Sequence, residues 1–297
     1  GLHGQLEACG GAAIRLVACS CASKPPIEKN KMSDYQTIEL EFTDNGIATL
    51  WLARADKNNA FNALMISELL QALDEVAADE TVRFMLLRGR GNHFSAGADL
   101  EWMRDCAALD YNANLNDARE LAQLMASLAQ LKVPTLAVVQ GAAFGGALGL
   151  ISCCDMAIGA EEATFCLSEV RIGLLPAVIS PYLVQAMGAR AARRFALTAE
   201  RFHGERAREV GLLAECYPAA ELEDELLQWL DRLLQNSPQA MRATKALLQE
   251  VKQGEMSTSL RRYTEAAIAR IRVSPEGQEG LNAFLQKRDP AWLPPKP

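Results

Sequence analysis

Short apolar runs alternate with amphipathic helical stretches in the first half of the chain, and this alternation restricts the possible folds most. Helical periodicity is present at 63–78 and 115–131, and an apolar helix follows Gly145. Strand-like runs lie between and before these helices, at 38–42, 47–52, 84–87, 135–139 and 156–159. Asp44-Asn45-Gly46 predicts a hairpin turn between the first two runs. Strands that alternate with helices form stacked βαβ units, so the sequence predicts an α/β core.

Beyond Pro176 the pattern is helical to the end of the chain. Helical segments divided by glycine and proline are predicted at 178–198, 203–210, 220–235, 238–252, 256–272 and 276–287. We therefore interpret the chain as an α/β core over 32–220 and a helical C-terminal region over 221–297. A clean strand pattern begins soon after Met32, so residues 1–31 are interpreted as a tag or N-terminal extension outside the fold.

Charge and cysteine content argue against several classes of function. The 297 residues carry 30 Lys and Arg against 37 Asp and Glu, a formal net charge of −7, which argues against nucleic acid and anionic membranes as partners. No apolar run reaches the length of a membrane span. Three histidines without an HExxH or CxxC motif predict no metal site. Eight cysteines in a chain of this length predict small buried hydrophobic residues in a reducing cytoplasm.

Two glycine-rich loops, at 94–100 and 141–147, each follow a strand and open a helix. The first turn of a helix offers backbone N–H groups without an intrahelical acceptor, and small residues let a ligand come close. If the two loops converge, their N–H groups can point at one oxygen and form an oxyanion hole. The alternative is that each loop is only a tight turn between a strand and a helix. Neither loop matches a GxGxxG or P-loop pattern, which disfavours nucleotide chemistry.

The strings NHFSAGADL at 92–100, GAAFGGALGL at 141–150 and SEVRIGLLP at 168–176 resemble the crotonase, or enoyl-CoA hydratase/isomerase, superfamily. The resemblance extends from about Ile38 to Trp292 and includes the FLQKR string at 284–288. It implies a crotonase spiral of ββα units with a helical C-terminal trimerisation region. It also implies an acyl-CoA substrate and a homotrimer or dimer of trimers. No cofactor is implied, because coenzyme A is part of the substrate.

The resemblance assigns roles to individual residues of the loops. The two N–H donors that polarise the thioester oxygen correspond to Ala98 and Gly146, and the carbonyl of Ala96 corresponds to the acceptor for the adenine amino group.

The resemblance also suggests residues that contact coenzyme A outside the loops. Lys57 corresponds to a basic residue near the phosphates. Phe284 and Lys287, three residues apart on one predicted helix face, correspond to positions that reach coenzyme A from another subunit. For both lysines, a solvated surface charge is the alternative.

The acid–base residues differ from the usual family pattern. Typical hydratases carry two glutamates, and here only the second is present, as Glu169, while Gly149 stands at the first position. One carboxylate can take a proton from water and return it to the α-carbon, or it can move a proton between carbons as an isomerase does. Gly149 predicts extra room in the substrate pocket for a water or a branch of the substrate. The alternative for Glu169 is a helix-capping carboxylate.

A finer resemblance, over 168–202, is to bacterial methylglutaconyl-CoA hydratases and the related isohexenylglutaconyl-CoA (γ-carboxygeranoyl-CoA) hydratases. Their substrates carry a second carboxylate, for which Arg171 or Ser180 is a candidate partner. A surface or subunit-interface ion pair is the alternative for Arg171. Trp102 is a candidate for the acyl pocket or for simple packing, and His93 is interpreted as a loop residue rather than a base.

Two classes of function therefore remain open at the level of the sequence. The first is an enzyme that hydrates an enoyl-CoA, in particular 3-methylglutaconyl-CoA of leucine and isovalerate breakdown, with isohexenylglutaconyl-CoA hydration or enoyl-CoA isomerisation as alternatives. The second is a noncatalytic acyl-CoA-binding or RNA-binding relative. Glu169 within its motif favours the enzyme, and the acidic charge balance argues against RNA.

Overall fold

The computed structural model describes residues 34–294 and residue 296. The proposed extension at 1–31 lies outside the described residues, as do His3, Cys9, Cys19 and Cys21.

Nine strands form two sheets among the described residues. In chain order they are β1 (Ile38–Phe42), β2 (Ile47–Leu52), β3 (Phe84–Gly89), β4 (Thr135–Val139), β5 (Ala142–Phe144), β6 (Met156–Ala160), β7 (Thr164–Cys166), β8 (Phe202–His203) and β9 (Glu215–Tyr217) within the part of the chain that the structure describes. The larger sheet has the order β1-β2-β3-β4-β6-β9, with β1 antiparallel to β2 and every later pair parallel. The smaller sheet joins β5, β7 and β8. The predicted runs are confirmed, whereas the three short strands of the smaller sheet and β9 were not predicted.

The helices of the described chain are α1 (Ala63–Ala78), α2 (Leu100–Ala107), α3 (Tyr111–Ala129), α4 (Gly146–Cys153), α5 (Ser180–Thr198), α6 (Gly204–Glu209), α7 (Leu222–Leu234), α8 (Pro238–Gln253), α9 (Thr258–Val273) and α10 (Pro275–Gln286). Those predicted beyond Pro176 begin and end within about two residues of the predicted positions. α3 starts four residues before the predicted 115, because the side chain of Asp110 accepts the N–H of Ala113 at 2.9 Å and caps the helix there. α2 was not predicted.

The fold class is thus the predicted one, an α/β core followed by helices. The central strand β4 is buried along its whole length, as expected for a strand in the middle of a parallel sheet covered on both faces. Of the five described cysteines, all free thiols, four are buried as small hydrophobic residues and Cys106 is half-buried.

The buried ammonium group of Lys245, on α8, contacts the core of the protein. The ammonium of Lys245 lies 2.9 Å from Oδ2 of Asp155 and donates to the carbonyl of Val133 at 3.0 Å. The same Asp155 oxygen accepts the N–H of Thr135, the first residue of β4, at 2.8 Å. A buried charge needs such compensation, so this contact fixes α8 against one end of the larger sheet.

None of the helices found between residues 34 and 296 is both long enough and apolar enough to cross a bilayer.

Candidate active site

The two glycine-rich loops lie side by side, as the oxyanion-hole hypothesis requires. The N–H of Ser95 donates to the carbonyl of Ala142 at 3.0 Å, and the N–H of Phe144 donates to the carbonyl of Ser95 at 3.0 Å. His93 adds a side-chain link, because its Nδ1 accepts the N–H of Ala142 at 2.9 Å. His93 is therefore occupied in holding the loops together, which agrees with its interpretation as a loop residue.

The conformation of the first loop leaves the N–H of Ala98 open. Phe61 runs parallel to the loop, donating its N–H to the carbonyl of Gly97 at 2.7 Å and accepting the N–H of Asp99 at 2.8 Å. In a parallel pairing the residue between those two contacts directs its own N–H away from the partner. Accordingly, the N–H of Ala98 has no acceptor among residues 34–294.

Gly97 has to be glycine for this path of the chain. Its φ is +90°, and a Cβ there would lie 2.9 Å from the carbonyl oxygen of Phe144. The glycine thus allows the first loop to pass close to the second.

The second loop places Gly146 at the start of α4. The preceding residue, Gly145, has a φ of +56° and donates its N–H to the carbonyl of Cys166 at 2.9 Å. The N–H of Gly146, in the first turn of α4, has no acceptor within the described part of the chain. A Cβ on Gly146 would lie 3.3 Å from Cε2 of Phe61, so this ring contacts the second donor while its backbone pairs beside the first.

Glu169 reaches the same place from the turn after β7. A Cβ built on Gly145 would lie 3.1 Å from Oε1 of Glu169, so the carboxylate lies next to the start of α4. Its Oε2 is buried without a hydrogen-bond partner among the described residues. Burial raises the pKa of the Glu169 carboxyl above its ordinary value. A capping carboxylate would accept the N–H of a later residue in the turn, and no other described residue donates to the Glu169 side chain, which argues against the capping alternative.

The expected extra room at Gly149 is absent, and that prediction is wrong. A Cβ at Gly149 would lie 2.2 Å from Cγ2 and 2.8 Å from Cβ of Ile179, and 3.1 Å from Cε of Met125. Gly149 itself is buried within α4. The missing side chain therefore leaves no cavity, because Ile179, just before α5, fills its place.

Two of the predicted coenzyme A contacts lie close together. Ala96 donates its N–H to the carbonyl of Asn58 at 2.9 Å, while its own carbonyl accepts no hydrogen bond from the described residues. Lys57 precedes Asn58 and is exposed. An open carbonyl and an exposed ammonium on adjacent segments agree with the roles that the resemblance assigns to them.

Phe284 and Lys287 differ from the expectation. Phe284, on α10, is 81% exposed. Lys287 follows the end of α10 in a left-handed conformation with a φ of +55°, so the two residues do not share a helix face as predicted. Neither side chain makes a hydrogen bond or ion pair within the described chain.

Two further predicted pocket residues have different surroundings. Trp102 of α2 is half-buried and packs against the core. Arg171 is exposed on the same turn as Glu169 and forms no ion pair with any described residue.

Sequence reasoning missed Phe61 and Ile179. No local pattern marks either residue, because both act through contacts with distant parts of the chain. Asp99 was also missed, although an Asp directly before a helix is a recognisable capping signal.

For the residues the structure describes, no three His, Cys, Asp or Glu side chains are grouped closely enough to hold a metal ion. The site contains two unpaired backbone donors on adjoining loops and, next to the second of these loops, a half-buried carboxylate. Such donors stabilise negative charge that develops on a carbonyl oxygen, and a carboxylate with a raised pKa can accept and return a proton. The arrangement has the features that an acid–base site with an oxyanion hole requires.

Comparison with known proteins agrees with that class. The model of the family "Enoyl-CoA hydratase/isomerase" matches residues 42–294. The chain is 30% identical to the 2,3-dehydroadipyl-CoA hydratase of Escherichia coli, over 82% of this chain and 94% of that protein. It is 33% identical to the hydroxycinnamoyl-CoA hydratase-lyase of Pseudomonas fluorescens, over 71% and 77% respectively. A crystal structure of an enoyl-CoA hydratase from Shewanella pealeana superimposes with a TM-score of 0.84 at 49% identity, covering 87% of this chain and 97% of that one.

The chain belongs to the enoyl-CoA hydratase/isomerase family. It is an enzyme of the hydratase type, a hydro-lyase.

Proposed function

We propose that this enzyme adds water across the double bond of an α,β-unsaturated acyl-CoA, with 3-methylglutaconyl-CoA as its substrate. The observation that carries the hydration is the position of Glu169, whose buried carboxylate lies beside Gly145 at the start of α4. The choice of acyl group rests on the resemblance of 168–202 to methylglutaconyl-CoA hydratases.

The donors act on the thioester. The N–H groups of Ala98 and Gly146 bind the carbonyl oxygen and stabilise the negative charge that collects there when water attacks the β-carbon. Fixed donors in a dry site are worth several kcal/mol, since removing one typically costs about 10²–10³ in kcat. Their free N–H groups support this role.

Glu169 handles both proton transfers. It accepts a proton from the attacking water and returns a proton to the α-carbon, so the elements of one water molecule add across the double bond. The raised pKa supports this, because a carboxylate whose pKa is raised by burial is a stronger base than one in water. One carboxylate is sufficient, which agrees with Ile179 filling the space beside Gly149, where the usual first glutamate would stand.

The second carboxylate of the substrate requires a cation. Arg171 is two residues from Glu169, is exposed, and has no ion-pair partner among the described residues, which supports it as that cation. The similarity to a 2,3-dehydroadipyl-CoA hydratase supports a carboxylated acyl group more generally. Isohexenylglutaconyl-CoA, with a longer branch, is the alternative hydration substrate.

Coenzyme A is held by two groups of residues in this proposal. The carbonyl of Ala96 accepts the adenine amino group and Lys57 binds the phosphates. Phe284 and Lys287 reach coenzyme A from a neighbouring subunit of a trimer or a dimer of trimers. Large exposed apolar side chains near the C-terminus support assembly, with Phe284, Leu285 and Val273 all more than 70% exposed. The free thiols of the described cysteines support a reducing compartment such as the cytoplasm.

Enoyl-CoA isomerisation is the second candidate function. It is favoured by the single carboxylate at Glu169, because one carboxylate is also enough to carry a proton between two carbons.

The test compares wild type with Glu169→Gln on a panel of enoyl-CoA thioesters with and without a second carboxylate. Loss of the enoyl absorbance measures turnover, and mass spectrometry in isotopically labelled water detects added oxygen. We expect 3-methylglutaconyl-CoA to be hydrated most efficiently and Glu169→Gln to lose roughly 10²–10⁴-fold in kcat. Glu209→Gln, in a half-exposed ion pair with Arg206, is the control.

Each other outcome selects a different function. Double-bond movement without oxygen incorporation identifies an isomerase. Acyl-CoA binding without any turnover identifies a noncatalytic relative. Near-normal hydration by Glu169→Gln shows that another group is the base.

A further inference from the structure

Arg54 bridges two chain segments beside the candidate oxyanion hole. Its Nη1 donates to the carbonyl of Ala60 at 2.5 Å, and its Nη2 lies 3.0 Å from Oδ2 of Asp99. The side chains of Arg54 and Asp99 are only 15% and 10% exposed. One guanidinium thus fixes the residue before Phe61 and the residue after Ala98.

Asp99 is held in three ways. Besides Arg54, its side chain accepts the N–H of Glu101 at 2.8 Å at the start of α2, and its own N–H donates to the carbonyl of Phe61. The pKa of Asp99 lies below its ordinary value. Burial acts to raise this pKa, but the hydrogen bonds from Arg54 and from the backbone of α2 have the larger, opposite effect. The carboxylate therefore stays charged and keeps its contact with Arg54 at neutral pH.

Phe61 connects this ion pair to both open donors. Its backbone is hydrogen-bonded to Gly97 and Asp99 on either side of Ala98. Its ring lies against Gly146, where a Cβ would be 3.3 Å from Cε2. Displacement of Phe61 would therefore change the position of one donor relative to the other.

We propose that Arg54 is a positioning residue for the hydration reaction, holding Asp99 and Phe61 so that the N–H groups of Ala98 and Gly146 point at one oxygen. The inference rests on the proposed function, because it requires that oxygen to be a thioester oxygen. Arg54 touches neither donor and acts only through its two acceptors.

Arg54 can hold both segments because its guanidinium group donates hydrogen bonds in two directions. Arginine presents donors in two directions in one plane, whereas the ammonium of lysine is a single point charge on a flexible chain. Lysine at position 54 would retain one of the two contacts and release the other segment. Since misplacement of a catalytic group by about 1 Å can cost about 10²-fold in rate, a loss of roughly 10- to 100-fold in kcat is expected.

The experiment measures kcat and KM with crotonyl-CoA as the probe substrate, and the ultraviolet band of bound acetoacetyl-CoA, whose enolate form places negative charge on the thioester oxygen. The variants are Arg54→Lys and the doubly neutral Arg54→Met/Asp99→Asn, which leaves no uncompensated buried charge. Phe61→Leu tests the connection to Gly146. The control is Arg206→Met, which removes a half-exposed arginine from its 2.9 Å ion pair with Glu209.

We expect all of these variants except the control to lose kcat and enolate absorbance together, with little change in KM. A purely structural ion pair would lower the unfolding temperature but leave kcat and the enolate band at wild-type levels, and that result would overturn the inference. If Arg54→Lys fails to fold, the double variant and Phe61→Leu decide by the same two measurements. A wild-type protein that neither hydrates enoyl-CoA nor shows the enolate band refutes the proposed function itself.

Discussion

Replacing Gly149 by alanine measures how firmly Ile179 occupies the space where the usual first glutamate would stand. The added methyl would lie 2.2 Å from Cγ2 of Ile179 and 3.1 Å from Cε of Met125, far inside van der Waals contact. Overpacking of this kind costs about 1–3 kcal/mol. Replacing a helical glycine by alanine recovers at most about 1 kcal/mol. An approach of 2.2 Å belongs at the upper end of the overpacking range, so the free energy of unfolding should fall by about 2 kcal/mol.

A second substitution removes the closest contact of this clash and leaves the one at 2.8 Å, because alanine at position 179 keeps its Cβ. Ile179→Ala alone should cost about 2–5 kcal/mol, because it removes a buried side chain. In that background, Gly149→Ala should cost less than it does in wild type, since the Cγ2 atom is gone. We expect a coupling energy of about 1–2 kcal/mol between the two sites.

The double-mutant cycle compares wild type, Gly149→Ala, Ile179→Ala and the variant that carries both changes. The unfolding of each protein by denaturant is followed by circular dichroism at one fixed protein concentration. The fixed concentration matters because stability depends on concentration in an oligomer. If Gly149→Ala is as stable as wild type, and Ile179→Ala does not change its effect, then Ile179 moves aside freely and the packing argument is wrong.

The remaining predictions concern the site and the assembly. Gly146→Val should abolish turnover while the circular dichroism spectrum stays native, because a side chain there obstructs the thioester; retained turnover would remove Gly146 from the site. Burial raises the folded-state pKa of Glu169, so its stabilising contribution is complete below the unfolded value near 4.5 and is lost as pH rises through the folded-state pKa. Glu169→Gln should therefore raise the unfolding temperature at neutral pH, with a gain that shrinks towards pH 4.5; an equal gain at both pH values would contradict the assignment. Light scattering should give a trimer or hexamer of the 32.3 kDa chain, and a monomer at micromolar concentration would contradict the roles of Phe284 and Lys287.

Local sequence patterns predicted five of the six strands of the larger sheet and nearly all the helices of the described chain. Strands such as Thr135–Val139 are continuous apolar runs, and α1 has a clear helical period, so both can be recognised from their own residues. The smaller sheet could not be recognised. Its strands are two or three residues long, and Ala142–Phe144 becomes a strand only through pairing with Thr164–Cys166, which is distant in sequence.

The site was predictable to the extent that it depends on glycine. The two loops can approach each other only because they contain small residues. The glycines in the sequence therefore allowed this close approach to be predicted. The neighbours of those glycines were not predictable, because contacts such as Phe61 with Gly146 and Ile179 with Gly149 form only when separate segments meet. The interpretation of Gly149 failed for this reason, since an absent side chain in the sequence does not reveal what fills its place.

The order of strands in the larger sheet has a consequence for how the protein is made. Each strand of this sheet after β1 pairs with one that precedes it in the chain, so when it is synthesised its first partner is already present. The sheet can grow at one edge during translation, ending with β9. The contact between Lys245 and Asp155 closes only after most of the chain has left the ribosome. A chain that terminates before residue 245 would contain all strands of the larger sheet but would lack the cation that pairs with Asp155. An Asp155 carboxylate without its cation therefore distinguishes an incomplete chain from the full-length one.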